Sequence, residues 1–224
     1  MCGRFTIITP IASLFARFGL SDESLPHRAR YNVAPTQEIL TITNEERPRG
    51  LYMRWGLIPV WAKEVRSGAP LINAKAEGIA ANRTFSRPFQ RQRCLVLADG
   101  FYEWRPEGRL RAPVHFRLRS GEPFAFAGLW DTWQAPTGQT VHSCCIITTT
   151  PNDLVRPVHD RMPVILLPDA EGEWIAPGTV EAEDLMGSLA PYPAELMEAF
   201  EVSPAVNNVR NDSPECVTPV RRLL

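Results

Sequence analysis

The chain has 224 residues, of which 44% are hydrophobic and 22% charged, and its formal net charge is −1. This composition is typical of one soluble globular domain, and no apolar run approaches the ~18 residues that a membrane helix needs. Arg4 stands too early for a secretory signal, and five cysteines leave one unpaired in any pairing. We therefore expect a reduced, cytoplasmic protein and not a disulfide scaffold.

The charge is distributed unevenly along the chain. Residues 1–120 contain 19 Lys and Arg against 10 Asp and Glu, whereas residues 121–224 contain 5 against 15. Of the 24 basic residues, 22 are arginine, whose planar fork binds phosphate through two hydrogen bonds. The asymmetry indicates a polyanionic partner, although a coding bias towards arginine explains the arginine excess equally well. Arg83, Arg87, Arg91 and Arg93 are predicted to form a loop that follows the phosphates.

The first predicted element is a short helix over residues 11–18, because apolar side chains recur there at helical spacing. Thr9 is the predicted N-cap, Pro10 occupies the first helical position, and Gly19 ends the helix. Residues 31–36 are predicted to turn at Pro35.

The rest of the chain consists mainly of short strands, and Asp99-Gly100 is predicted to be a hairpin turn between two of them. The predicted strands lie at residues 38–43, 51–61, 94–98, 101–104, 114–119, 124–133, 141–150 and 164–167. Helices are predicted at residues 173–175, 181–189 and 194–200, before an extended end at residues 206–212. This order predicts an α+β fold over residues 1–224: a single domain with mostly antiparallel sheets, a barrel-like core and flanking short helices.

Motifs for metals and nucleotides are missing from the sequence. There is no C-x-x-C, H-x-H or H-E-x-x-H, and the four histidines lie far apart. There is no G-x-x-x-x-G-K-[ST] or G-x-G-x-x-G loop either. We therefore expect no metal, no nucleotide cofactor and no other cofactor.

Cys2 directly follows the initiator methionine. If Met1 is removed, Cys2 carries a free α-amine beside its thiol, a 1,2-aminothiol that no internal cysteine can offer. The amine can form an imine with an aldehyde, and the sulfur can then close a five-membered thiazolidine. The alternative is that Cys2 merely packs as a small hydrophobic residue.

Three further residues are candidates for chemistry. Glu103 lies between aromatic residues, where a carboxyl group tends towards a raised pKa and can act as general acid or base. His159 stands at the entry to a predicted strand, and the Asn73 amide could orient a substrate. From the residues alone, an outward-facing strand residue, a structural loop histidine and a turn-forming asparagine remain open alternatives.

Seven short segments carry a resemblance to a known family. They are residues 1–5 (MCGRF), 31–35 (YNVAP), 55–59 (WGLIP), 71–74 (LINA), 98–104 (ADGFYEW), 159–163 (HDRMP) and 206–212 (VNNVRND). In this order they resemble the motifs of the SRAP family, the SOS response-associated peptidases. The resemblance extends over nearly the whole chain and implies an SRAP-like fold.

The resemblance implies a covalent bond between Cys2 and the ring-opened sugar of an abasic site in single-stranded DNA. It implies that Asn73 orients the substrate, that Glu103 is the acid or base, and that His159 serves sugar ring opening and cross-link reversal. The implied DNA-binding residues are Arg4, Pro35, Trp61, Lys75, Trp104 and Arg161. The family commonly has arginine where this chain has Lys75, and lysine lacks the bidentate fork.

The expected activity is lyase-like processing of abasic sites by a monomer at the nucleoid, after peptidase-type removal of Met1 by the chain itself. Two alternatives remain. A self-processing peptidase would use Cys2, Glu103 and His159 only to cleave the Met1–Cys2 bond. A non-covalent reader of modified DNA would use the basic surface alone.

Overall fold

The computed structural model describes residues 2–20, 25–65, 69–108 and 110–223, which contain thirteen strands and four short α-helices. The strands are β1 Phe5–Ile7, β2 Arg30–Val33, β3 Glu38–Thr43, β4 Gly50–Trp55, β5 Asn73–Lys75, β6 Arg93–Ala98, β7 Gly100–Glu107, β8 Leu110–Leu118, β9 Phe124–Gln134, β10 Thr140–Thr149, β11 Met162–Pro163, β12 Met197–Val202 and β13 Pro219–Leu223. The helices are α1 Ile11–Phe18, α2 Ser86–Arg91, α3 Pro168–Trp174 and α4 Ala182–Met186.

Two sheets form the body of the protein. The first has the strand order β13-β12-β8-β7-β1-β2 and its paired strands are antiparallel. The second has the order β11-β10-β4-β3-β6-β9, and pairing of β10 with β9 closes five of these strands into a barrel. Strand β10 is parallel to β4 and β5. The predicted fold class, mostly antiparallel sheets with a barrel-like core and short helices, is confirmed.

Aromatic side chains join the two sheets into one core. The ring of Phe5, from β1 in the first sheet, lies 5.2 Å from Trp55 and 5.9 Å from Phe126 in the barrel. Phe101 of β7 also contacts Phe126, at 6.2 Å. All four side chains are buried, and each contributes about 1.5–3 kcal/mol by leaving water. The amino-terminal strand is therefore fixed against the barrel by its first aromatic residue.

The predicted first helix is confirmed, but its N-cap is wrong. Pro10 is the N-cap and makes no capping hydrogen bond through its side chain. The hydroxyl of Thr9 instead donates to the carboxylate of Asp99, which also accepts from the backbone N–H of Thr9 and of Ile8. Gly19 ends the helix in the left-handed conformation, with φ of 67°.

The predicted Asp99-Gly100 hairpin is also wrong. Strand β6 before it pairs in the barrel, while β7 after it pairs in the first sheet, so the chain crosses between sheets here. A Cβ on Gly100 would lie 2.4 Å from Nε2 of His115 and 2.6 Å from the carbonyl oxygen of Phe116. Glycine is required by this close approach and not by a turn.

The predicted arginine-rich loop is partly helical and partly strand. Helix α2 takes up its middle, and Arg93 begins β6 with its side chain fully buried. The Arg93 guanidinium donates to backbone carbonyls that cap α2 and α3, namely those of Phe89, Gln90, Trp174 and Ala176. Arg93 therefore holds helices to the barrel and is unavailable to phosphate.

The predicted turn at Pro35 is present at residues 35–36, but residues 31–33 before it belong to β2. Residues 197–202 form strand β12 where a helix was predicted over residues 194–200. In β12, Met197, Ala199 and Val202 are buried while the residues between them are less so, a pattern close to the period of two of a strand on one face of a sheet.

Candidate functional site

A cleft of about 840 Å³ opens between the amino-terminal segment, the β7–β8 hairpin and the loop between β10 and β11. Its lining combines a buried acid, basic side chains and an indole ring. The lining residues are Gly3, Arg4, Pro35, Glu103, Trp104, Leu110, Arg111, His159 and Asn207.

Cys2 directly precedes Gly3, which lines this cleft, and the Cys2 side chain is buried. The amide Nδ2 of Asn73 donates a hydrogen bond of 2.8 Å to the Cys2 carbonyl oxygen. Asn73 is fixed in turn by β5, where it pairs with Ile146 of β10. The barrel therefore positions the backbone of the second residue, and the turn-forming role that was open for Asn73 is excluded.

Asn73 also presents a second polar atom, the oxygen of its amide group. Its Oδ1 is buried and accepts no hydrogen bond from any residue that the structure describes. A buried amide oxygen without a donor costs about 1–3 kcal/mol. It is therefore suited to accept a hydrogen bond from a ligand or from a terminal amine.

The surroundings of Cys2 disfavour its thiolate. Burial, and secondly the negative charge of Glu103, raise the pKa of the Cys2 thiol well above its usual range. A thiol in this state is a weak nucleophile until its surroundings gain positive charge or water.

Glu103 reaches the cleft because β7 alternates its side chains between two sides. Tyr102 packs into a small cluster with Val206 and Cys216, and Glu103 faces the other way with only 4% of its surface exposed. Burial raises the pKa of the Glu103 carboxyl group to about 7. The outward-facing alternative for Glu103 is therefore excluded, and the group can exchange a proton near neutral pH.

His159 stands on the loop before β11, facing Glu103. Its Nε2 lies 3.8 Å from Oε2 of Glu103. Its Nδ1 lies 3.0 Å from the backbone nitrogen of Arg161 and 3.0 Å from Oδ1 of Asp160. Partial burial lowers the pKa of His159, so the imidazole is mainly neutral at pH 7.

Arg4 and Trp104 form one wall of the cleft. The Arg4 guanidinium lies over the Trp104 ring at 5.6 Å from its centroid. Its Nη1 donates to Oδ1 of Asn32 at 2.7 Å and to the carbonyl of Val206 at 2.9 Å. The indole Nε1 of Trp104 donates to Oδ1 of Asn207 at 2.7 Å. Both side chains are thus oriented by residues 206–212, the carboxyl-terminal motif.

Asn32 was not recognised as important from the sequence. It is fully buried, and its Nδ2 donates to the carbonyls of Val206, Asn208 and Asn211. Asp212 accepts from the backbone nitrogens of residues 31 and 32 and so covers the edge of β2. The available signal was that the segments at residues 31–35 and 206–212 both carry asparagine.

Arg161, a predicted phosphate contact, is engaged by the protein itself. Its two terminal nitrogens lie 2.5 and 2.9 Å from the Glu77 carboxylate oxygens, and Nη2 also donates to the Thr148 carbonyl at 2.6 Å. The ion pair lowers the pKa of the Glu77 carboxyl group.

The remaining predicted DNA contacts lie at different distances from the cleft. Pro35 is part of its lining, whereas Lys75 is exposed at the end of β5. Trp61 is 65% exposed on the turn after β4. The next residue, Ala62, lines a smaller cavity of about 80 Å³ together with Thr36, the neighbour of Pro35.

Among the residues that the structure describes, no three His, Cys, Asp or Glu side chains are grouped so that they could hold a metal ion. All five cysteines are buried and unpaired with one another. Within the same described ranges, no helix is both long and apolar enough to cross a membrane.

The barrel, the curled sheet and the amino-terminal cysteine beside a buried acid define the class of protein. The model of the family described as SOS response associated peptidase (SRAP) matches residues 1–209, and the chain belongs to this family.

Several relatives share almost the full length of the chain. It is 43% identical over 222 residues to the abasic site processing protein YoqW of Bacillus subtilis (strain 168), covering 97% of this chain and 99% of that one. It is 31% identical over 230 residues to the abasic site processing protein YedK of Escherichia coli (strain K12), covering 98% and 100%. A crystal structure of a Bacteroides thetaiotaomicron protein matches with a TM-score of 0.85 and 26% identity, covering 99% and 100%.

Proposed function

We propose that this protein processes abasic sites in single-stranded DNA by capturing the sugar aldehyde on Cys2 as a thiazolidine. One observation carries the proposal: Asn73 holds the Cys2 backbone at the edge of a cleft in which Glu103 is buried. Membership of the SRAP family, and relatives named abasic site processing proteins, support the substrate class.

The chemistry requires Met1 to be removed, because only then does Cys2 carry an α-amine beside its thiol. The amine adds to C1′ of the ring-opened sugar, and loss of one water gives an imine. The sulfur then adds to the imine carbon while the thiol proton passes to the nitrogen. The product is a five-membered ring, and water is the sole leaving group.

Glu103 and His159 are proposed to move the protons. Loss of water from the first adduct needs an acid, and the carboxyl group of Glu103 is partly protonated at neutral pH. During ring opening, a neutral His159 can accept the proton that the sugar hydroxyl on C1′ releases. The same pair, working in reverse, would return the proton when the cross-link is reversed.

The new α-amine also changes the electrostatics of the thiol. In its ammonium form it places a positive charge next to sulfur, which favours thiolate. The unused Oδ1 of Asn73 is an acceptor for one of its N–H groups. Asn73 would thus hold Cys2 on both sides of its Cα, through the carbonyl and through the amine.

The DNA backbone is proposed to follow Arg4, Lys75 and Arg161, with unstacked bases against Trp104, Pro35 and Trp61. Arginine binds phosphate by two hydrogen bonds, while Lys75 offers a point charge. Aromatic faces accept any base, so the contacts are tolerant of sequence. We further propose that the chain removes Met1 itself and acts as a monomer in the cytoplasm.

The test uses mature protein whose loss of Met1 is verified by intact mass. It is incubated with a labelled single strand containing one abasic site, and products are separated on a denaturing gel. We expect a stable adduct for the wild type and none for Cys2→Ser from which Met1 has also been removed, by an aminopeptidase where necessary, because this variant has the α-amine but lacks sulfur. Borohydride should still trap the Cys2→Ser protein through its imine.

One control substrate and the type of DNA complex that forms distinguish this proposal from the two alternative functions. A tetrahydrofuran analogue of the abasic site has no aldehyde and should give no adduct. A self-processing peptidase would lose Met1 yet give no adduct with abasic DNA, and a non-covalent reader would give only salt-labile binding. A stable adduct that survives Cys2→Ser would overturn the thiazolidine.

A further inference from the structure

His159 lies between two cavities. One face of the imidazole lines the cleft that also contains Glu103. The histidine also lines a separate surface hollow of about 420 Å³, together with Asp160, Arg156 and Pro106. Nε2 lies 3.8 Å from the Glu103 carboxylate in the cleft, and Nδ1 lies 3.0 Å from the Asp160 carboxylate.

The two cavities differ in their access to water once DNA is bound. A DNA strand bound in the cleft would cover Glu103, of which the protein itself leaves only 4% exposed. The side chain of Asp160 is 90% exposed. Proton exchange between Glu103 and solvent under bound DNA therefore needs a path through the protein wall, and His159 is part of that wall.

The geometry points to a proton relay from Glu103 through His159 to Asp160, with Asp160 as a positioning residue and as the outlet to solvent. This inference rests on the proposed function for its role in turnover. The proton passes from the Glu103 carboxyl group to Nε2, and the proton on Nδ1 passes to the Asp160 carboxylate and then to water. One proton enters the ring and one leaves, so the imidazole ends in its other tautomer.

Both tautomers have a partner in the structure. When Nδ1 carries the proton, Oδ1 of Asp160 is an acceptor 3.0 Å away, and Nε2 is left to accept from Glu103, 3.8 Å away. When Nε2 carries the proton, Nδ1 accepts from the backbone N–H of Arg161. The return of the ring to its first state moves a proton from solvent to Nδ1 and the Nε2 proton back to Glu103, which restores the acid. The 3.8 Å gap must close by about 1 Å for transfer, as catalytic hydrogen bonds do on substrate binding.

The charges around His159 come from three elements. Glu103 on β7 and Asp160 on the loop are negative, whereas Arg111 on β8 and Arg161 on the loop are positive. The Cys2 thiol and, in the mature protein, its α-amine also face Glu103. Asp160 raises the pKa of His159 against the larger effect of burial, so its removal should lower that pKa.

The test compares Asp160→Asn with Asp153→Asn, which removes an equally exposed carboxylate from the same loop. Single-turnover adduct formation is measured against pH at low buffer and again with added imidazole. We expect Asp160→Asn to slow the reaction roughly tenfold, part of the ~10²–10⁴ that acid–base help contributes. Imidazole should restore the rate, and Asp153→Asn should behave as wild type.

A second measurement does not depend on DNA. Nitrogen NMR of the His159 ring in the full chain should show a larger share of proton on Nε2, and a lower pKa, in Asp160→Asn. Unchanged tautomer populations would overturn the relay, as would a slow Asp160→Asn that imidazole fails to restore. Absence of any adduct with the wild type would instead refute the proposed function, and the NMR result would still decide the relay.

Discussion

The guanidinium of Arg161 is held by the Glu77 carboxylate through two contacts of 2.5 and 2.9 Å. A phosphate that binds Arg161 must therefore compete with a carboxylate already in place. Because half of the Glu77 side chain is exposed, at 52%, the ion pair is weak enough to open. Glu77 thus lowers the affinity of this part of the surface for anions while keeping Arg161 oriented.

Replacing Glu77 should strengthen non-covalent DNA binding. We expect Glu77→Gln to tighten binding of an undamaged single strand roughly threefold, the equivalent of an exposed ion pair of about 0.6 kcal/mol. Glu45→Gln is the control, because Glu45 pairs with Arg49 on the β3–β4 turn, outside the cleft lining. Fluorescence anisotropy at low salt measures both. Weaker DNA binding by Glu77→Gln would mean that Glu77 orients the Arg161 guanidinium for phosphate and does not compete with phosphate for it.

Glu103 should destabilise the fold at neutral and alkaline pH. Its carboxyl pKa is about 7 when folded against a reference of 4.5. The folded state therefore prefers the protonated form, and this preference is lost as pH rises through 7. Relative to wild type, Glu103→Gln should gain stability between pH 4.5 and 8, by about 3 kcal/mol at most. Urea unfolding at pH 4, 6 and 8 measures the difference, and a difference independent of pH would show that Glu103 is not buried as an acid.

The same residue should govern the rate of cross-linking. We expect Glu103→Gln to slow single-turnover adduct formation by ~10²–10⁴-fold, because the amide cannot give up a proton. Glu107→Gln, on the exposed end of the same strand, should leave the rate unchanged. Equal rates for wild type and Glu103→Gln would assign the acid–base work to another group.

Local sequence patterns were sufficient to select most of the candidate residues that line or adjoin the cleft. Glu103 was a candidate since aromatic residues flank it, and Cys2 since it follows Met1. What the sequence could not decide was the face of β7 on which Glu103 lies. Alternation allows either face, and only the position of the carboxyl-terminal motif behind Tyr102 fixes the choice.

The sequence predictions were wrong where a residue with a familiar local pattern contacts a partner far away in the sequence. Asp-Gly is a hairpin signal, but Asp99 is used to bind the backbone before α1, and Gly100 is required by the approach of β8. Arg93 sits among surface arginines in sequence, yet its guanidinium caps two helices, one of them about eighty residues away. The bond between Asn32 and Val206 links positions 174 apart, a contact that one sequence does not reveal.

The last prediction concerns the choice of DNA. In the proposed reaction, C1′ of an abasic sugar enters the cleft whose lining includes Arg4, Trp104 and Glu103. A single strand bends into such a site at little cost, whereas the partner strand of a duplex occupies the space and resists unstacking. We expect much faster cross-linking to an abasic single strand than to the same site in duplex, measured by single-turnover kinetics.

The electrostatic part of this preference can be measured through Arg4. The logarithm of the non-covalent binding constant should fall linearly with the logarithm of the salt concentration. Arg4→Ala should make this slope shallower by roughly 0.7, the single-strand value for one lost phosphate contact. Since Nη1 of Arg4 also holds Asn32 and Val206, Arg4→Lys provides the matched variant, with its charge kept and its fork lost. It should preserve the slope, as should Arg49→Ala outside the cleft lining. The fold of Arg4→Ala is verified by thermal unfolding. If its salt dependence is the same as that of the wild type, Arg4 contacts residues of its own chain and does not bind a phosphate.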